Sequence, residues 1–211
     1  DGTNVVGINS DNTPCENVLV ENCYLVTDKA QAFWIHRANH KNITLQNSYV
    51  YATTQSVLSD AEYWENVQIL NNYIGGTGGR GIHMRGENGN SAKNLKIHGN
   101  TIVLTGDNNA VQVGDCNGTV ISNNYIQVNC DAASNGALCF PLRASQILIT
   151  GNTIINTVAP ASQDSDCAAI RMSGASPGTE CRIIGNTISS WKVGIIGQAN
   201  TWTRYIGVDF N

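Results

Sequence analysis

With 211 residues, 13% charged side chains, a formal charge of -4 and a pI near 5.5, the chain is long enough to bury one core and too acidic to track a phosphate backbone, which calls for a basic stripe. Nucleic acid is thus excluded as an expected partner. No apolar run reaches bilayer-spanning length and nothing at Asp1 resembles a signal peptide, so no membrane partner is expected.

The opening segment, "TNVVGIN", reads as the closing strand of a preceding turn. From there one phrase recurs: "ENCYL" at 21, "QNSYV" at 46, "NNYI" at 71 and 123, and "GNTI" at 99, 151 and 185. Aligned on their last apolar residue, the copies fall at Leu25, Val50, Ile74, Ile102, Ile126, Ile154 and Ile188, at intervals of 25, 24, 28, 24, 28 and 34 residues. Periods of this size mark a solenoid. Each copy closes a period-2 segment such as "NVLVENCYL", "NVQILNNYI" or "QILITGNTI", which is strand chemistry. A further short strand follows: "AFWIH", "SVLSD", "GIHMR", "AVQVG", "ALCFP", "AIRMS", "VGIIG". The chain ends on "YIGVDF", a strand without its companion.

Three short strands in about 24 residues predict an all-β right-handed parallel β-helix of about seven to eight coils, with neighbouring coils about 4.8 Å apart. Equivalent letters then stack. Cys23, Ser48, Asn72, Asn100, Asn124, Asn152 and Asn186 form an inward Asn ladder whose amides satisfy the turns of adjacent coils. Val18, Ile43, Val67, Leu95, Val120 and Ile147 make one core column, Val20, Leu45, Ile69, Ile97, Ile121 and Ile149 a second, and Phe33, Val57, Ile82, Val111, Leu138 and Ile170 a third. Residues 1–211 are expected to form a single β-helix domain of a longer chain, or one whose ends another subunit covers, because an uncapped solenoid exposes apolar ends. "EYWEN" at 62, "GGTGG" at 75 and "NTVAPASQDSDC" at 156 read as loops.

Seven cysteines (Cys15, Cys23, Cys116, Cys130, Cys139, Cys167, Cys181) show neither a CxxC pair nor a histidine at zinc spacing. No metal site and no cofactor are expected, with calcium at Asp28, Glu62 or Glu87 left open. Two sequons, at Asn42 and Asn117, matter only in a glycosylating host.

Alternation along the short following strands puts Trp34, Leu58, His83, Gln112, Cys139 and Arg171 in one outward column. His36, Asp60 and Arg85 stand in the next on successive rungs. The strip suits an acidic sugar: Arg85, Arg171 and Arg37 for carboxylates, Trp34 or Trp64 to stack on a pyranose face, and His36 or His83 with Asp60 for proton transfer. The opposing reading is a solvated face on which unlike charges on adjacent rungs pair.

The stretch "VGINSDNTPCENVLVENCYLVT" resembles the polygalacturonases, glycoside hydrolases of family 28 within the pectin lyase-like β-helix superfamily. Gly7, Ile8, Asn9, Cys15, Asn17, Val18, Leu19, Glu21, Asn22 and Cys23 match that family's pattern, and the likeness covers residues 4 to 86. It implies a carbohydrate-active β-helix. Its catalytic carboxylates, however, fall on Val6 and near Ala30 and Gln31, its histidine on Gln55, and its Arg-Ile-Lys run on His83, Met84 and Arg85. Glycoside hydrolysis needs two carboxyl groups, and the matched positions supply none.

The sequence therefore leads to an exported domain, secreted or on a virion surface, that binds or cleaves a polysaccharide, as a hydrolase or a lyase. The alternative is a non-catalytic structural or adhesive β-helix such as a phage tailspike or surface-fibre segment. A monomer fits the first and a homotrimer the second.

Overall fold

The computed structural model describes residues 4–9, 13–36, 39–60, 63–86, 92–132, 135–140, 144–172 and 180–197, with the backbone of 206–209. Three parallel sheets run the length of the molecule. The first contains β1 (Val6–Asn9), β4 (Phe33–His36), β7 (Val57–Ser59), β10 (Ile82–Arg85), β13 (Val111–Gly114), β16 (Gly136–Phe140), β19 (Ala168–Met172) and β22 (Val193–Gly197). The second contains β2 (Glu16–Glu21), β5 (Asn39–Gln46), β8 (Tyr63–Leu70), β11 (Ala92–His98), β14 (Cys116–Ser122), β17 (Ala144–Thr150), β20 (Cys181–Ile184) and β23 (Ile206–Asp209). The third contains β3 (Tyr24–Thr27), β6 (Tyr49–Ala52), β9 (Tyr73–Gly76), β12 (Thr101–Leu104), β15 (Tyr125–Val128), β18 (Thr153–Asn156) and β21 (Thr187–Ser189). Every strand pairs in parallel with the strand one turn away, giving a right-handed parallel β-helix. Six turns, β2 to β19, close around one core. The end turns are less sealed than the middle ones, with Val18 and Val20 of the first and Ile188 and Ile195 of a seventh, β20 to β22, only partly buried, and the turns number slightly fewer than the expected coils.

The Asn ladder forms at the bend between the second and third sheets. The backbone N–H groups of Ser48, Asn72, Asn100, Asn124 and Asn152 each donate to the side-chain oxygen of the next asparagine along the axis, at 2.9–3.0 Å. The side-chain nitrogens of Asn72, Asn100, Asn124, Asn152 and Asn186 donate back to the carbonyls of Leu45, Ile69, Ile97, Ile121 and Ile149. Each buried amide thus satisfies backbone groups on both sides. The residue before each rung (Asn22, Asn47, Asn71, Gly99, Asn123, Gly151, Gly185) takes φ between 50° and 68°, a region that Gly and Asn enter at least cost.

A second set of left-handed residues corrects the sequence reading. Asn17, Asn42, Asn66, Asn94, Gly118 and Gln146, with φ from 52° to 81°, sit inside the second-sheet strands. Each adds a residue to the alternation, as a bulge does, so residues three apart face inward: His40 with Ile43, Trp64 with Val67, Ala92 with Leu95, Cys116 with Thr119. The expected place of Val120 in the first core column belongs to Thr119, which pairs with Leu95 and Ile147. Thr119 is fully buried and donates its hydroxyl to Cys116 Sγ at 3.3 Å. The other two columns have the predicted register. The same asparagines make an external ladder: Asn42, Asn66 and Asn94 donate in turn to Asn17, Asn42 and Asn66 at 2.9–3.0 Å.

Candidate functional site

The outer face of the first sheet places Trp34, Leu58, His83, Gln112, Cys139 and Arg171 in one column. Beside it, one step past the pairs Ile35–Ser59 and Ser59–Met84, stand His36, Asp60 and Arg85. Asp60 is held at the end of β7 by its own N–H, which donates to the carbonyl of Ile35 at 3.2 Å. Its Oδ1 lies 2.6 Å from His36 Nδ1 and accepts the indole N–H of Trp34 at 2.9 Å. The Trp34 and His36 rings stack at 4.0 Å, as i and i+2 residues on one strand face do. An ionised carboxylate only accepts, so Nδ1 carries the proton and Nε2 is the basic nitrogen of the ring. The side chains of His36 and Asp60 are 18% and 35% exposed, open enough for a solute to reach.

His40, absent from the sequence reading, fixes this dyad from below. It is fully buried, its Nδ1 accepts the N–H of Cys15 at 3.2 Å, and its Nε2 lies 3.1 Å from the carbonyl of His36. A backbone N–H can only donate, so Nδ1 is unprotonated and Nε2–H donates to His36. This neutral histidine anchors the end of β4. Its signal in the sequence was the position two before Asn42, the inward side of the bulge.

Two cations and a second histidine continue the strip. Arg85 ends β10 and is exposed. Arg80 is half-buried, its Nε has no hydrogen-bond partner, and burial pulls its guanidinium below the usual arginine range. His83 lies between Leu58 and Gln112, with Nδ1 buried and unpartnered. Burial first, then the charges of Arg80 and Arg85, pushes its pKa down to about 4 against a smaller opposing effect of Asp60. His83 is therefore neutral near neutral pH.

Two expected site residues have other places. Trp64 is fully buried in β8, where "EYWEN" was read as a loop, and its Nε1 donates to the carbonyl of Arg85 at 3.4 Å. It is a core residue, turned inward by the left-handed Asn66, and offers no face to a sugar. Arg171 is 4% exposed and donates to the carbonyl of Asp166 at 2.8 Å. Its guanidinium clamps a loop folded over the face, where alternation alone pointed it at solvent. Arg37 lies outside the described residues, as do Glu62 and Glu87; Asp28 is exposed in a bend after β3. Among the described residues no cluster of His, Cys, Asp and Glu fits a metal ion, and no helix is long and apolar enough to cross a membrane.

The other two outer faces are occupied by repeating chemistry. On the second sheet Glu16, Lys41, Glu65 and Lys93 alternate in charge along one column. On the third, Tyr24, Tyr49 and Tyr73 stack ring on ring at 4.7 and 4.9 Å.

Residues 57–205 match the family described as a right handed beta helix region. No curated protein and no solved structure matches the chain.

Proposed function

The chain belongs to the right-handed β-helix family, and on that premise we propose that it is a carbohydrate-active domain acting on an acidic polysaccharide along the outer face of the first sheet. The observation that carries the proposal is the Trp34–His36–Asp60 cluster, in which one carboxylate oxygen takes two N–H donors and orients an imidazole two rungs from Arg85 on the same face. The chemistry it supports best is β-elimination. His36 Nε2 removes the proton α to a uronate carboxylate, Arg85 neutralises that carboxylate as the carbanion forms, and the β-glycosidic oxygen leaves with the bonding pair and takes a proton from water. One base and one cation suffice. Hydrolysis is less well supported. Where the polygalacturonase likeness puts acids, Val6 is a β1 residue paired with Phe33, and Ala30 is buried. The same proposal puts the domain outside the cell or on a virion surface, with polysaccharide as its partner.

A second reading, a non-catalytic adhesive β-helix, is favoured by how fully the cluster satisfies itself: the indole N–H and Nδ1 of His36 are both used within it. Incubation with a panel of uronate-containing and neutral glycans separates the two. We expect unsaturated uronate ends, read by ultraviolet absorbance, from the acidic glycans alone. Asp60→Ala should lower kcat by about 10²-fold or more, and Arg85→Ala should raise KM. Binding without product, with a trimeric mass in solution, would move the domain to the adhesive reading. Neither binding nor product across the panel would refute both.

A further inference from the structure

We propose that Cys130 and Cys167 are joined by a disulfide that staples the longest insertion of the solenoid to the turn before it. Cys130 follows β15 and Cys167 immediately precedes β19. Both are fully buried, and their sulfurs lie 3.0 Å apart. Both backbones are held in place, so the approach is set by the fold. Asn156 accepts the N–H of Cys130 at 3.1 Å and donates to its carbonyl at 2.7 Å. The N–H of Cys167 donates to the carbonyl of Asp164 at 3.2 Å, and Asp164 N–H in turn donates to the carbonyl of Asp131 at 2.8 Å. Gln163 clamps the same loop to Val158 and Ser190, each at 2.7 Å. Closing the sulfurs to the bonded separation of about 2.05 Å brings them about 1 Å nearer than they stand.

The exchange requires an oxidant, and a low-molecular-weight disulfide such as glutathione disulfide supplies it. The oxidant meets both cysteines before their sulfurs come together, so the reaction runs through whichever thiolate forms first. That thiolate attacks one sulfur of the oxidant and expels one glutathione thiolate, leaving a mixed disulfide. The other cysteine then loses its proton and displaces the second glutathione. Two electrons and two protons pass from the two cysteines to the oxidant, which leaves as two thiols. Since neither sulfur is exposed, the reaction belongs to folding, before the loop over 157–167 docks. The linkage closes a 37-residue separation that contains the loop over 157–167.

The test uses the full chain refolded with a glutathione redox couple, and in parallel with excess reductant, then blocked with an alkylating agent under denaturing conditions. Digestion without reduction followed by mass spectrometry should yield a linked peptide pair containing Cys130 and Cys167, lighter by two hydrogens than the separate peptides. The melting temperature of the oxidised chain should exceed that of the reduced chain by about 10 °C, and the double variant Cys130→Ala, Cys167→Ala should lose that redox dependence. Alkylation of both cysteines in the oxidised sample, or a linkage of either to another cysteine, would overturn the proposal. The peptide map on the unaltered chain decides this even where the double variant fails to fold.

Discussion

His83 should make the fold acid-sensitive in a defined window. In the unfolded chain its imidazole titrates near 6.5; in the folded protein it titrates at about 4, because burial and the nearby Arg80 and Arg85 disfavour the cation. Between these values the unfolded chain binds the extra proton and the folded one does not. Stability from this residue is thus fully present above pH 6.5, falls as pH drops towards 4, and loses nothing further below that. A separation of about two and a half pKa values corresponds to about 3 kcal/mol. The check is urea unfolding at about pH 7 and about pH 4.5, for the native chain and for His83→Gln, whose amide stays neutral throughout. Carboxylates also titrate over this range, but they do so in both proteins. We expect the variant to lose about 2 kcal/mol less than the native chain over that interval, the part of the full effect developed by about pH 4.5. Equal losses would refute the reasoning, as would an imidazole proton of His83 that titrates near 6.5 in the folded state by NMR.

Two further substitutions test the architecture. Asn100→Ala leaves the N–H of Asn72 and the carbonyl of Ile69 without partners in a dry interior, at a cost of roughly 2–5 kcal/mol by denaturant unfolding; Asn186→Ala, at a part-exposed rung, should cost clearly less because water replaces the lost bonds. Gly79→Ala drives a methyl into the backbone carbonyl of Thr54 on the adjacent turn and should cost about 2 kcal/mol or more, whereas Gly194→Ala, with open space around it, should stay within about 0.5 kcal/mol of the native chain.

The fold was legible because parallel stacking makes the same demand at every turn. An asparagine that must bond its copies above and below recurs in the text as a letter at a fixed place, and so do the apolar residues of the inward columns. Adjacency of His36 and Asp60 could be read from the same stacking, since both close their strands one rung apart. Trp64 and Thr119 could not be read by alternation. A single left-handed residue per strand shifts the inward set by one, and the left-handed state is a property of φ that a hydrophobic pattern does not record. The cue was present as "NV", "NI", "NV" and "NL" at 17, 42, 66 and 94, an asparagine before each first core residue. Arg171 shows a different limit: alternation tells which way a side chain leaves the sheet, and only the loop over 157–167 decides whether water lies there.

In a solenoid, what recurs is under the constraint of its neighbours, and what does not recur is free to differ. The inward columns repeat aliphatics, the second sheet's outside repeats asparagines and alternating charges, and the third repeats tyrosines at its first rungs. The outer column of the first sheet repeats nothing: Trp34, Leu58, His83, Gln112, Cys139 and Arg171 share neither size nor charge. Stacking energy cannot be the reason for such a series, because unlike side chains on adjacent rungs forgo the ladder contacts that like ones make. A face that gives up that stabilisation while gathering an oriented imidazole, a carboxylate and two cations within three turns is where selection for a ligand, and not for the coil, has room to act.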